Sequence, residues 1–342
     1  MPQPTPSGDR KDSAPALTRR DVLPRLAAGA LVLAGCQPVP LSPLKVGMNP
    51  WVGYDPLVLA RDRGLLDRTQ VKVVELSSSS ETLRHLRNGL LDGAALTLDE
   101  ALRLSDDGVD LRIVYLLSRS AGADLVLARP EITRPEQLRG RAIAVEKTTV
   151  GALMLQRLLR AANLQPHELR VLNMEASQHL GAIRNGRVDA AVTFEPLAGA
   201  LRAEGLVPVF DSRQMPGDIV DVLVVHGRVL AERRDQVDAL VRGWRRGLQA
   251  MLREPALSAQ ALAVGVDLSP EAYLATLKGL AFYGDQEVPP LLAGRPRALG
   301  QQSEGLALTL QQMGLLRESP DWGRMLEEPW ADHLVVLEGG EP

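Results

Sequence analysis

Apolar and polar positions follow two alternating rhythms over residues 44–225. Short apolar runs at 44–48, 71–76, 94–97, 112–117, 125–128, 142–145, 169–172, 191–193 and 219–225 have the length and composition of buried strands. Between them, apolar residues recur at helical spacing, as Leu83 with Leu86 and Leu180 with Ile183 do. Pro56 opens a helix predicted over 57–63, and Gly64 stops it.

The pattern occurs twice. Residues 80–94 and 177–191 carry Ser, Leu, Arg-Asn-Gly, Asp and Ala in the same places, at a constant offset of 97. In each copy a Ser, Ser80 or Ser177, stands where a helix N-cap belongs (in the first, Ser78 with Glu81 also fits a capping box), and Gly89 or Gly186 then ends the helix in the left-handed region. The offset extends outward: 44–48 matches 141–145 at 97, and 71–74 matches 169–172 at 98. Each half reads strand, helix, strand, helix, strand, which predicts an α/β fold with two largely parallel sheets. Two such lobes imply a cleft, the usual place for a ligand.

The expected layout is lobe 1 over 44–124 plus 226–335, lobe 2 over 129–220, and crossing strands at 125–128 and 221–225. Helices are expected at 231–253, 256–264, 270–282 and 301–315, with Trp244 on the buried face of the first. Residues 284–290 read as a loop that reaches the cleft, and the tail after Glu338 as frayed.

A net charge of −3 gives no basic field for nucleic acid. Aromatic residues make up only 3%, so Trp51 and Tyr54, together in one loop after a strand, stand out as candidates for stacking on a ligand. Cys36 is the single cysteine, which excludes an internal disulfide or a cysteine-built metal site. Residues 18–23 resemble a twin-arginine export signal, and 33–36, ending in Cys36, resemble the lipobox of bacterial lipoproteins. That resemblance implies that 1–35 are removed, that Cys36 carries the lipid, and that 36–43 form a tether. Loss of 1–35 takes away five cationic and three anionic side chains and leaves a net charge of −5.

Residues 49–57 (Asn-Pro-Trp-Val-Gly-Tyr-Asp-Pro-Leu), the two Asn-Gly-x-x-Asp units and Thr-Phe-Glu-Pro at 193–196 resemble the periplasmic solute-binding proteins of ABC importers. The branch is the nitrate, sulfonate, taurine and thiamine-pyrimidine-precursor (NMT1/THI5-like) group. The resemblance implies a two-lobed type II periplasmic-binding-protein fold. It also implies a ligand held between the lobes, a membrane permease as partner, and no cofactor or metal.

Loops at the strands' carboxyl ends give the candidate ligand contacts. They are Asn49, Trp51, Tyr54, Thr97, Asp99, Ser118, Ser120, Thr148, Thr149, Thr193, Glu195 and Asp221, with Asp55 beside them. Asp55, Asp99, Glu146, Glu195 and Asp221 are acidic, whereas only Arg119 and Lys147 are basic. A buried anion needs paired positive charge. The expected ligand is therefore neutral or cationic, such as a nitrogen heterocycle stacked on Trp51 or Tyr54, with Glu195 accepting hydrogen bonds. The competing interpretation of these carboxylates is helix capping.

Two other classes fit less well. A pyrimidine-synthase-like enzyme of this fold carries a cysteine-rich motif, which has no counterpart here. His85, His167, His179, His226 and His333 form no metal spacing, and no nucleophile elbow or phosphate loop occurs. A sensory binding protein shares every feature above and differs only in signalling to a membrane receptor.

Overall fold

Val46 and Gly47 of strand β1 (Leu44–Met48) lie beside Gly93 and Ala94 of β3 (Gly93–Thr97). Ile143 and Ala144 of β6 (Ala142–Val145) lie beside Ala190 and Ala191 of β8 (Ala190–Phe194). The two registers superpose on a shift of 97 residues. On the other side of β1, Val46 pairs with Val73 of β2 (Val71–Glu75); on the other side of β6, Ile143 pairs with Val171 of β7 (Arg170–Asn173). The shift there is 98, the one-residue drift seen in the sequence.

These relationships come from a computed structural model that describes residues 1, 3, 41–147, 149–293, 298–327, 330 and 332–334. Cys36 and Thr148 lie outside the described residues, as do residues 2 and 4–35 of the expected signal segment and the tail after Glu338.

The repeated unit folds as its glycines predict, but neither repeated serine caps its helix: Ser78 caps the first, and Ser177 lies in the turn Ala176–Gln178 ahead of the second. Helix α1 (Asp55–Asp62) follows the loop after β1, and α2 (Ser79–Arg87) leads to Gly89 at φ +68° and then to β3. Helix α3 (Leu98–Asp106) follows β3. In the second half α4 (Thr149–Ala161) follows β6, and α5 (His179–Arg184) leads to Gly186 at φ +65° and then to β8. The repeated Asp has a backbone role. Asp92 accepts from the Lys45 N–H at 2.8 Å and Asp189 from the Ala142 N–H at 2.9 Å, which satisfies a donor at the start of the middle strand of each parallel trio, β2-β1-β3 and β7-β6-β8.

Antiparallel strands extend both parallel cores. The first sheet has the order β11-β4-β10-β3-β1-β2, with β4 at Leu111–Ser120, β10 at Val220–His226 and β11 at Leu280–Phe282. The second has the order β7-β6-β8-β5-β9, with β5 at Asp124–Ala128 and β9 at Val207–Asp211. The strands expected to cross, 125–128 and 221–225, each stay in one sheet. β5 pairs with β8 and β9, and β10 with β3 and β4. The chain passes between sheets in the short connections 121–123 and 212–219 instead. There Ser212 Oγ lies 2.8 Å from Ser120 Oγ and accepts from Gly122 N–H at 2.7 Å.

Three further expectations need correction. The helix expected over 270–282 ends at Leu277, because the exposed edge of β4 takes up Leu280–Phe282 as an antiparallel strand. The helix expected over 301–315 is broken at Ser303 into Ala298–Gln302 and Glu304–Gln312. Residues 284–290 do not reach the cleft cavity described below. Asp285 is held on the first sheet by the Tyr115 hydroxyl at 2.8 Å and by Arg245 at 3.0 Å, and a helix begins at Val288. Trp244 is fully buried, as expected, on the long helix Arg234–Arg253.

Candidate functional site

The chain turns sharply after β1, and Gly53 sits inside that turn. A side chain on Gly53 would overlap Trp51 Nε1 and Ser118 Oγ, so glycine lets the indole fold back onto the sheet. Trp51 Nε1 then donates to Asp221 Oδ2 at 3.0 Å, the Tyr54 hydroxyl donates to Oδ1 at 3.2 Å, and the Ser118 hydroxyl also donates to Oδ2. Asp221 is fully buried at the start of β10. Burial pushes its carboxyl up to about 6, and the three donors hold it back from rising further.

These residues form one wall of a cavity of about 40 Å³. From the first sheet's side come Asn49, Trp51, Tyr54, Ser79, Thr97, Glu100 and Asp221; from the second come Asp124, Glu146, Met154, Thr193 and Phe194, among others. Among the described lining residues there is no Arg, Lys or His. Trp51 meets Phe194 edge to face across the gap, with ring centroids 5.8 Å apart.

The other lining carboxylates differ in how far they are satisfied. Glu100 accepts from the Thr97 N–H at 3.1 Å and from the Ser79 hydroxyl, and burial still pushes it up to about 7. Glu146 takes the Ser80 N–H at 3.0 Å and hydroxyl at 2.7 Å on one oxygen, and the Ala176 N–H at 3.1 Å on the other. Ser78, not Ser80, is the N-cap of α2, accepting from the Glu81 N–H at 3.2 Å; Ser80 is therefore free to face Glu146. Asp124, at the start of β5, is 5% exposed. Burial pushes it up to about 7; the Ser120 hydroxyl draws it back, and Asp221, Glu100 and Glu195 add repulsion. Among the described residues its Oδ2 has no hydrogen-bond partner, and neither has the Thr193 hydroxyl.

Of the residues singled out in the sequence, Asn49, Trp51, Tyr54, Thr97, Thr193 and Asp221 line this cavity. Ser118 is buried against Asp221, and Ser120 is turned to Ser212. Asp99 is fully buried outside the lining, where burial and its neighbour Glu100 hold its carboxyl well above the usual range. Glu195 is also outside the lining, with Oε1 paired to Arg202 at 2.5 Å. Asp55 is tied to the Tyr273 hydroxyl, away from the cavity. Thr149 begins α4. The basic pair is elsewhere: the Arg119 guanidinium lies 5.5 Å from the centre of the Tyr283 ring, and Lys147 is exposed. Sequence reasoning did not select Glu100, Asp124, Met154 or Phe194, and it counted Glu146 only among the acidic residues of the candidate loops. The signal for Asp124 was present: it stands 97 residues before Asp221.

A family model described as the NMT1-like family matches residues 37–264, more than half of the chain. The chain belongs to the NMT1-like family. The taurine-binding periplasmic protein of Escherichia coli is 24% identical over 166 residues, 48% of this chain and 51% of that protein. An ABC transporter periplasmic binding protein of Brachyspira hyodysenteriae is 25% identical over 125 residues, 36% of each chain. The NMT1-like chain thus matches about half or less of the length of these relatives. The alkanesulfonate-binding protein of Xanthomonas axonopodis pv. citri superposes with a TM-score of 0.67 at 20% identity, covering 86% of this chain and 99% of that one. That likeness establishes the type II periplasmic-binding-protein fold for this NMT1-like chain.

Proposed function

We propose that this NMT1-like protein is an extracytoplasmic solute-binding protein. It captures a small polar solute, neutral or cationic, between its two sheets and delivers it to an ABC permease. The observation that carries this reading is the cavity itself: side chains from both sheets line it, so a solute there contacts both halves at once. A ligand that touches both halves only when they are together favours the closed form by that difference in affinity. The connections at 121–123 and 212–219 are where the halves would swing, which moves the lobe boundaries to 44–120 plus 220 onward for lobe 1 and 124–211 for lobe 2. The acid-rich lining supports a solute without negative charge. In this reading Cys36 carries the lipid that keeps the protein beside its permease on the periplasmic side of the membrane, and the protein performs no chemistry on the solute.

Native mass spectrometry of the purified protein tests the reading. A single small molecule, released on mild activation, is the expected result. A population that carries no small molecule, and gains none from a concentrated extract of its own cells, would contradict it.

A further inference from the structure

Two aspartates reach the cavity from opposite sheets, and the internal duplication relates them. β10 runs antiparallel to β3 with Asp221 opposite Thr97, and β5 runs antiparallel to β8 with Asp124 opposite Phe194. Asp124 and Asp221 are 97 residues apart, as are Thr97 and Phe194. The two carboxylates are therefore equivalent positions of one ancestral unit. Their surroundings are not equivalent. Asp221 is saturated by Trp51, Tyr54 and Ser118. The residue 97 after Tyr54 is Gly151, which has no side chain to donate. Ser212, which follows the Leu125 partner Asp211, spends its hydroxyl on Ser120 and on the Gly122 N–H. The residue 97 after Trp51 is Thr148, outside the described residues; among those described, Asp124 Oδ2 is buried on the cavity wall without a partner, as is the Thr193 hydroxyl on the lining.

A buried carboxylate oxygen with no donor is costly unless something supplies one. We propose that the solute is a small organic cation, an alkylammonium or amidinium, and that Asp124 is its counter-ion, with the Thr193 hydroxyl as a second acceptor. This rests on the solute-capture reading above and narrows it. Glu100, Glu146 and Asp221 already accept from protein donors and supply a negative surround. Trp51 and Phe194 supply aromatic walls, which favour a cation further. Size is limited too. A cavity of about 40 Å³ is far below the about 150 Å³ that admits benzene, so the solute has a few heavy atoms unless the sheets part.

The test is titration calorimetry on the full chain with ethylammonium, acetamidinium, propionamide, taurine, ethanesulfonate and nitrate, repeated on Asp124→Asn. Saturable binding of a cation, weakened at least about 30-fold in Asp124→Asn with no loss of thermal midpoint, is the expected result. Equal cation affinity in the two proteins would overturn the role of Asp124. Preferred binding of taurine, ethanesulfonate, nitrate or propionamide would overturn the cation and leave solute capture standing. Failure of every probe, together with an uncharged or anionic molecule in the native mass spectrum, would do the same. Failure of every probe with no bound molecule in that spectrum would overturn both readings.

Discussion

One carboxylate oxygen of Glu146 accepts both the backbone N–H of Ser80, at 3.0 Å, and its hydroxyl, at 2.7 Å. Ser80 lies in the first turn of α2, beside the first sheet, and Glu146 follows β6 of the second. The carboxylate therefore sits at the positive end of a helix that belongs to the other half of the molecule. These bonds must break whenever the two halves separate.

Hydrogen bonds to charged groups contribute about 1.5–3 kcal/mol. Glu146→Ala removes the Ser80 contact between the halves, together with the Ala176 N–H bond within the second half. It is expected to speed solute release by roughly 10-fold or more in stopped-flow measurements, with a smaller change in association rate. An unchanged release rate would mean that the Ser80–Glu146 contact does not hold the closed form.

Gly53→Ala forces a methyl group into the space of Trp51 Nε1 and Ser118 Oγ. Overpacking of this kind costs about 1–3 kcal/mol, and the indole must leave Asp221. The variant is expected to melt several degrees lower and to lose most of its solute affinity. Thermal unfolding and calorimetry on the same sample measure both. A normal melting point with normal affinity would show that the turn relaxes without moving Trp51.

Burial raises five carboxyls above their ordinary values: Asp55, Glu100 and Asp124 to about 7, Asp221 to about 6, and Asp99 well above the usual range. Between pH about 4 and about 7 the folded protein holds protons that the unfolded chain has lost. Stability from these groups is therefore fully present at the acid end of that window and falls as pH rises through it. Carboxyls lowered by Arg or backbone donors, such as Asp106 and Asp211, act in the opposite direction but below about pH 4. Denaturant melts of solute-free protein are expected to lose at least about 2 kcal/mol from pH 5 to pH 8, and Asp124→Asn to flatten that slope. A stability that rises with pH over this range would contradict the account.

Tyr273 donates its hydroxyl to the buried Asp55. Tyr273→Phe leaves that carboxylate without its donor, a cost of about 1–3 kcal/mol. The loss is expected to be larger at pH 8, where Asp55 is charged, than at pH 5. Equal losses at both pH values would place the energy in packing rather than in the hydrogen bond.

The duplication was legible because it is written in register. Gly89 and Gly186, Asp92 and Asp189, and the pairs Val46–Gly93 and Ile143–Ala190 all obey one offset. Local patterns of that kind survive without knowledge of neighbours. What failed depends on partners distant in the chain. Leu280–Phe282 is a strand because β4 leaves an open edge at Ser118–Ser120, and nothing within residues 270–282 records that edge. Ser118 and Glu195 were candidate contacts because they follow strands; the structure gives Ser118 to Asp221 and one oxygen of Glu195 to Arg202, and leaves the other without a partner among the described residues. Asp124 was overlooked because it reads as a turn residue before an apolar strand, and its importance comes from what its partner Asp221 has and it lacks.

Small-angle X-ray scattering on protein stripped of solute, before and after its co-purified solute is returned, tests most directly whether the two sheets close on a guest. The radius of gyration is expected to fall on addition of solute and to stay high in Asp124→Asn at the same concentration. Identical scattering curves for the stripped and the solute-saturated protein would contradict the account.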